Sequence, residues 1–126
     1  MVVLDTHVAV WWTTEPARLS ARAAAAILSA EAIGIPSIVF WEIALLVRKK
    51  RLQLDIPVAE WAETVQLIPR VRALPLTAEV AVAADALEMH ADPADRFIVA
   101  TARMAGARLI TKDSSIRRQR AVKTVW

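Results

Sequence analysis

The chain has 126 residues, with 16 Lys and Arg against 13 Asp and Glu, no cysteine, 2 glycines and a hydrophobic share of 56%. That length suits one domain, residues 1–126, with a sizeable core. The missing cysteines exclude a disulfide scaffold or thiolate metal site and agree with a cytoplasmic protein. No stretch approaches the roughly 18 uninterrupted apolar residues of a membrane span, and the apolar run Met1 to Leu4 is too short for a signal peptide, so neither is expected.

In chain order, Val2 to Leu4 is expected as a short buried strand closed by Asp5, and Thr6, His7 and Val8 to Trp12 as a short helix ending before Glu15-Pro16. Arg18 to Ala30 reads as an alanine-rich helix and Ala32 to Pro36 as a second strand. Ser37 reads as the N-cap of a helix whose body is apolar from Ile38 to Val47 except at Glu42, ending in Arg48, Lys49, Lys50 and Arg51. Such a helix is expected to be buried nearly all round. Leu52 to Ile56 reads as extended, Pro57 opens a helix running to Ile68, and Pro69 ends it. Ala73 to Leu76 is expected as a third strand, and Thr77 starts a helix reaching about Met89.

His90 reads as a helix-terminal residue, and in Asp92-Pro93-Ala94-Asp95-Arg96 the first aspartate is an N-cap, the proline suits the first helical position, and Asp95 falls in the first turn. Gly106 ends that helix. Arg108 to Thr111 is expected as a fourth strand, followed by Lys112, Asp113 and a short basic helix, and Ala121 to Trp126 as an edge strand. Strands alternating with helices predict an α/β domain with a short, mostly parallel sheet and helices on both faces.

Glu42 is the residue that folding alone does not explain, because three and four positions away it faces Ile38, Val39, Leu45 and Leu46. A buried carboxylate is expensive unless a cation meets it. Asp5 and Asp113 end apolar strands, and Glu42 and Asp95 lie near helix starts, so all four can face the edge of the sheet where α/β proteins bind ligands. Each aspartate alone also fits a local role: Asp5 a helix cap, Asp95 a capping arrangement with Asp92, Asp113 a turn with Ser114 and Ser115. Together they describe a carboxylate cluster suited to Mg²⁺ or Mn²⁺, hence to phosphodiester chemistry. No glycine-rich phosphate loop is present to favour a nucleotide triphosphate. If four of the acids share one pocket, the remaining surface is strongly basic around it, which suits a polyanion. Arg48, Lys49, Lys50 and Arg51, with Arg117, Arg118, Arg120 and Lys123, are candidate phosphate contacts or simply solvated helix ends. His7 is close enough to Asp5 in sequence to touch such a pocket, and Trp11, Trp12, Trp41 and Trp61 suit core or interface packing better than base stacking.

At Leu4-Asp5-Thr6-His7 with Trp11-Trp12, Trp41-Glu42-Ile43-Ala44 through Arg51-Leu52, Leu76-Thr77, His90 to Ala102, and Thr111-Lys112-Asp113, the sequence resembles PIN-domain ribonucleases of the VapC toxin type. The resemblance covers nearly the whole chain. It implies a PIN-like three-layer fold and a four-acid Mg²⁺ site made by Asp5, Glu42, Asp95 and Asp113, with Thr6 and Thr111 in support. Asp5 and Asp95 are the first metal ligands expected, with Asp113 beside them, and Glu42 positions or deprotonates the attacking water. Arg96 is expected to orient Asp95, to contact substrate or to form a structural salt bridge, the last being the safest reading. The resemblance further implies RNA cleavage, a homodimer, and silencing by a cognate antitoxin protein. The sequence departs from the pattern at Lys50, where many relatives have glycine, and at Ala94, where phenylalanine is common. The competing readings are a receiver-type Mg²⁺-binding signalling domain, poorly matched because Asp5 has no acidic neighbour, and a silent PIN-like binding module.

Overall fold

The computed structural model describes residues 1–89 and 92–126. Its centre is a five-stranded sheet in the order β3-β2-β1-β4-β5, with every neighbouring pair parallel. The strands are β1 (Val2–Leu4), β2 (Ile33–Pro36), β3 (Val71–Leu74), β4 (Arg108–Ile110) and β5 (Thr124–Val125). Every residue of β1 and β2 is buried. Since successive strand residues point to opposite faces, both faces of the central sheet must be covered. The helices doing so are α1 (Thr6–Thr14), α2 (Ala21–Ser29), α3 (Ser37–Arg48), α4 (Val58–Gln66), α5 (Ala78–Asp85), α6 (Pro93–Met104) and α7 (Ser114–Gln119). None of the described helices is long and apolar enough to cross a membrane.

The core runs through Val2, Leu4, Ile33 and Ile35 of the sheet and out to Ile27, Ile43, Ile98 and Ile116 on the helices. Gly34 sits where space is short: a methyl group there would approach Leu74 Cδ1 to 2.6 Å. Val3 pairs with Gly34 on one side and Leu109 on the other, so β1 is the strand at which the sheet order reverses. A crevice therefore opens beyond the carboxyl ends of β1 and β4, the place where such sheets bind ligands.

Several expected boundaries move. Arg18 to Ala30 is not one helix, because Pro16–Arg18 forms a separate 3₁₀ turn and Ser20 then caps α2 through a bond from the Ala23 amide. Ser37 is not an N-cap. Pro36 ends β2 and occupies the cap position without a side-chain acceptor, so Ser37 is already the first helical residue. Nor is α3 buried all round: only Val39 and Ile43 are fully covered, while Trp41 is 56% exposed. The helix buries a stripe, and its apolar composition continues onto the surface. Leu52 to Ile56 belongs to no strand, α4 stops at Gln66 and α5 at Asp85. β3 begins at Val71, straight after Arg70 takes a left-handed turn (φ 73°), and ends before Pro75, which could donate no ladder bond. The reading of His90 as a helix-terminal residue lies outside the described residues.

Candidate functional site

The site is built from four chain segments. β1 delivers Asp5, which is 7% exposed and serves as the N-cap of α1, its Oδ1 accepting from the Thr6 amide at 2.8 Å. β4 delivers Thr111, fully buried, whose hydroxyl donates to Asp5 Oδ2 at 2.6 Å and accepts from the Asp113 amide at 3.1 Å. The Asp5 amide also bonds the Ile110 carbonyl, which ties the ends of β1 and β4 together. Asp113 caps α7, accepting from the Ser115 amide at 2.7 Å and the Ile116 amide at 3.2 Å. Glu42 comes from the middle of α3, half-buried, with the Thr6 hydroxyl donating to its Oε1.

Asp95 enters in the first turn of α6. Asp92 caps that helix by accepting from the Asp95 amide at 2.9 Å, with Pro93 at the first helical position as the sequence predicts. One oxygen each from Glu42, Asp92 and Asp95 lie within 4.8 Å of one another. Asp92 thus belongs to the cluster as well as to the helix end. Sequence reasoning gives it only the cap, although its spacing of three from Asp95 on one helical face is an available signal. Asp5, Glu42, Asp92, Asp95 and Asp113 all line one cleft of about 490 Å³, with His7, Val8, Trp11, Arg18 and Lys112.

The electrostatics follow from this crowding. Burial pushes Asp5 up, against the opposing bonds from Thr111 and Thr6. Glu42 is likewise raised, by burial first and then by Asp92 and Asp5, with the Thr6 hydroxyl opposing. Asp95 is pushed up to about 7 by burial and then by the charges of Asp92, Asp5, Glu42 and Asp113. Among the described residues the one ion pair is Arg18 with Glu15, so no basic side chain reaches ion-pair distance of Asp5, Glu42, Asp95 or Asp113. Hard oxygen donors in excess, with no Lys or Arg ion-paired to them among the described residues, form a donor set that fits a divalent ion of the Mg²⁺ or Mn²⁺ kind.

Arg96 is in no ion pair among the described residues. Its guanidinium donates to the backbone carbonyls of Asp85 (2.8 Å), Leu87 (2.9 Å) and Met89 (2.7 Å), so it clamps the end of α5 and the segment after it to the start of α6. None of Arg48, Lys49, Lys50, Arg51, Arg117 and Arg118 lines the cleft. The cations that do are Arg18 and Lys112, both set over Trp11, at 4.6 Å and 5.7 Å from its ring centre. Neither stands out in the sequence, since each is a lone basic residue in a turn.

A sequence model of the PIN domain matches residues 2–122. The chain belongs to the PIN-domain family. Ribonuclease VapC22 of Mycobacterium tuberculosis (strain ATCC 25618 / H37Rv) is 45% identical over 129 aligned positions, covering 99% of this chain and 98% of that protein. Among solved structures, VapBC2 from Rickettsia felis bound to a DNA fragment from its promoter superposes with a TM-score of 0.70 at 18% identity, covering 98% of this chain and 97% of the other. A toxin–antitoxin complex from Klebsiella pneumoniae gives 0.66 at 18% identity, covering 97% and 95%. At these identities the structural likeness speaks to fold, and it is the PIN fold from one end of the described chain to the other.

Proposed function

We propose that this PIN-domain protein is a metal-dependent endoribonuclease toxin that hydrolyses RNA phosphodiester bonds, acts as a single catalytic unit over residues 1–126, and is neutralised by a cognate antitoxin. The observation that carries the reading is the convergence of Asp5, Glu42, Asp95 and Asp113 on one cleft with no basic side chain paired to any of them among the described residues. The near full-length relative named a ribonuclease supports the activity. The fold shared with VapBC2 and with the Klebsiella toxin–antitoxin complex, together with the exposed Trp41 face of α3, supports a protein partner and a homodimer.

Asp5, Asp95 and Asp113 would hold Mg²⁺, with Mn²⁺ as a substitute. Once bound, the cation neutralises phosphate oxygens and makes water a better nucleophile. Glu42 takes the proton of the attacking water, and Thr6 fixes the carboxylate that receives it. The water oxygen bonds to phosphorus, the bond to the 3′ oxygen breaks, that oxygen takes a proton from solvent, and the products are a 5′-phosphate and a 3′-hydroxyl. Thr111 keeps Asp5 aimed into the cleft, and Arg96 holds the start of α6 so that Asp95 stays opposite Asp5. Arg48 to Arg51, Arg117 and Arg118 lie outside the cleft lining and serve as outer contacts to a longer RNA.

The test is cleavage of end-labelled cellular RNA by antitoxin-free protein with Mg²⁺, with Mn²⁺ and with chelator, beside Asp95→Asn. Metal-dependent cutting that the variant loses is the expected result. Cutting that persists in chelator or in the variant would overturn the site assignment, and folded, metal-binding protein that cuts nothing would favour a silent binding module.

A further inference from the structure

We propose that Arg18 and Lys112, braced on the face of Trp11, form a cationic lip that grips the phosphates flanking the scissile bond; this rests on the ribonuclease reading of the cleft. The cleft presents five carboxylates and must admit a polyanion, so at its mouth some positive charge has to offset the repulsion. Among the described residues only Arg18 and Lys112 supply it from Lys or Arg side chains.

Their placement is specific. Trp11 is 9% exposed, and its ring is held between His7 (centroids 5.8 Å apart) and Trp126 (5.9 Å). An indole fixed in this way can hold a guanidinium and an ammonium over its face by attraction to the ring quadrupole, without neutralising either charge. The donors remain available. The Lys112 side chain has no hydrogen bond or ion pair among the described residues, and the Arg18 side chain has only its pair with Glu15, 3.9 Å long with both side chains more than half exposed. A pair that long and that solvated is weak and yields readily to a phosphate. Lys112 also lies between Thr111, which holds Asp5, and Asp113, so a phosphate on its ammonium is next to the acid cluster.

The lip thus sets where the RNA backbone crosses the cleft and carries no base selectivity, since phosphate contacts position without reading sequence. The probe is a fluorescein-labelled single-stranded RNA of mixed sequence, titrated by anisotropy at several salt concentrations. The proteins are Glu42→Gln, which prevents cutting, and the same chain with Arg18→Ala and Lys112→Ala. Removing one phosphate-neutralising cation from a single-strand complex lowers the salt slope by about 0.7, so the expected fall is about 1.4, with affinity roughly 10- to 30-fold weaker at 0.1 M salt. Arg103→Ala, at the far end of α6, removes one charge outside the cleft and should leave the slope unchanged. In the active background, the Arg18→Ala, Lys112→Ala protein should raise KM at least 10-fold and change kcat less than about 3-fold. A fall in kcat without a change in slope would mean only that Asp113 had been displaced, and would overturn the lip. An unchanged slope in a protein that still binds and cuts RNA would overturn the lip alone. If the unmodified chain neither binds nor cuts RNA, the ribonuclease reading fails and the lip falls with it.

Discussion

The Thr111 hydroxyl donates to Asp5 Oδ2 at 2.6 Å across 106 residues of sequence, and the same hydroxyl accepts from the Asp113 amide. One buried side chain therefore holds the Asp5 carboxylate directly and the backbone that carries Asp113. Thr111→Val keeps the shape and removes the hydroxyl, leaving the Asp113 amide without its acceptor and Asp5 Oδ2 without its donor, while Asp5 Oδ1 keeps the Thr6 amide. We expect a loss of about 1–3 kcal/mol in urea unfolding and Mg²⁺ binding about 10- to 100-fold weaker by calorimetry. Thr111→Ser should restore most of both. Unchanged Mg²⁺ affinity in Thr111→Val would remove Thr111 from the site.

Acidity should stabilise the metal-free protein. Asp95 is raised to about 7, and Asp5 and Glu42 are raised as well, so between the ordinary carboxylate range and neutrality the folded chain binds more protons than the unfolded one. That contribution is fully present below the unfolded value near 3.8 and is lost as pH rises through about 7. In chelator, melting temperature should fall between pH 5 and pH 8, and saturating Mg²⁺ should raise it more at pH 8 than at pH 5. A melting temperature that rises with pH in chelator would contradict the clustered-acid geometry.

Asp95→Asn separates stability from activity. It removes the charge that Asp92, Asp5, Glu42 and Asp113 oppose, so the metal-free variant should melt higher than the parent at pH 8. It should also lose at least 100-fold in cleavage and most of its stabilisation by Mg²⁺. A metal-free melting point below the parent's would mean that Asp95 is held by something other than repelling acids.

Lys50 occupies the left-handed region with φ 58°, immediately after the C-cap Lys49 of α3. Glycine adopts that conformation without the steric penalty, so Lys50→Gly should stabilise by about 1 kcal/mol, read as a higher denaturant midpoint at unchanged slope.

Arg96 offers a sharper loss. Arg96→Met strips the donors from the carbonyls of Asp85, Leu87 and Met89, and should lower stability by about 1.5–3 kcal/mol while weakening Mg²⁺ binding through Asp95. Arg96→Lys should not rescue it, because an ammonium cannot span three carbonyls as a guanidinium fork does. Full rescue by lysine would show that charge, not the clamp, is what matters.

How much of the molecule is legible in its sequence depends on the range of the interaction. Asp5 after an apolar run, and Asp92-Pro93 before a helical one, are local signals, and both helix starts are where the sequence puts them. The parallel sheet with both faces covered follows from the alternation of elements. The buried stripe of α3 is hidden because its composition is apolar on every side, and only packing shows that Trp41 is left outside. Arg96 reads as a partner for carboxylates, since nothing local reveals that the last carbonyl of α5 and two beyond it turn towards it. Arg18 and Lys112 escape notice for the same reason: 94 positions apart, they meet over Trp11 only after the fold brings β4 beside β1.

The neighbour relation between β1 and β4 also governs timing. Asp5 and Glu42 leave the ribosome early, but Asp5 has no Thr111 to hold it, and the cleft has no far wall, until β4 has emerged and inserted beside β1. A chain translated only as far as α6 carries three of the four acids and no assembled cleft. The carboxylates are thus made before the strand that assembles them, and the cleft takes shape only after β4 has followed α6 out of the ribosome and settled beside β1.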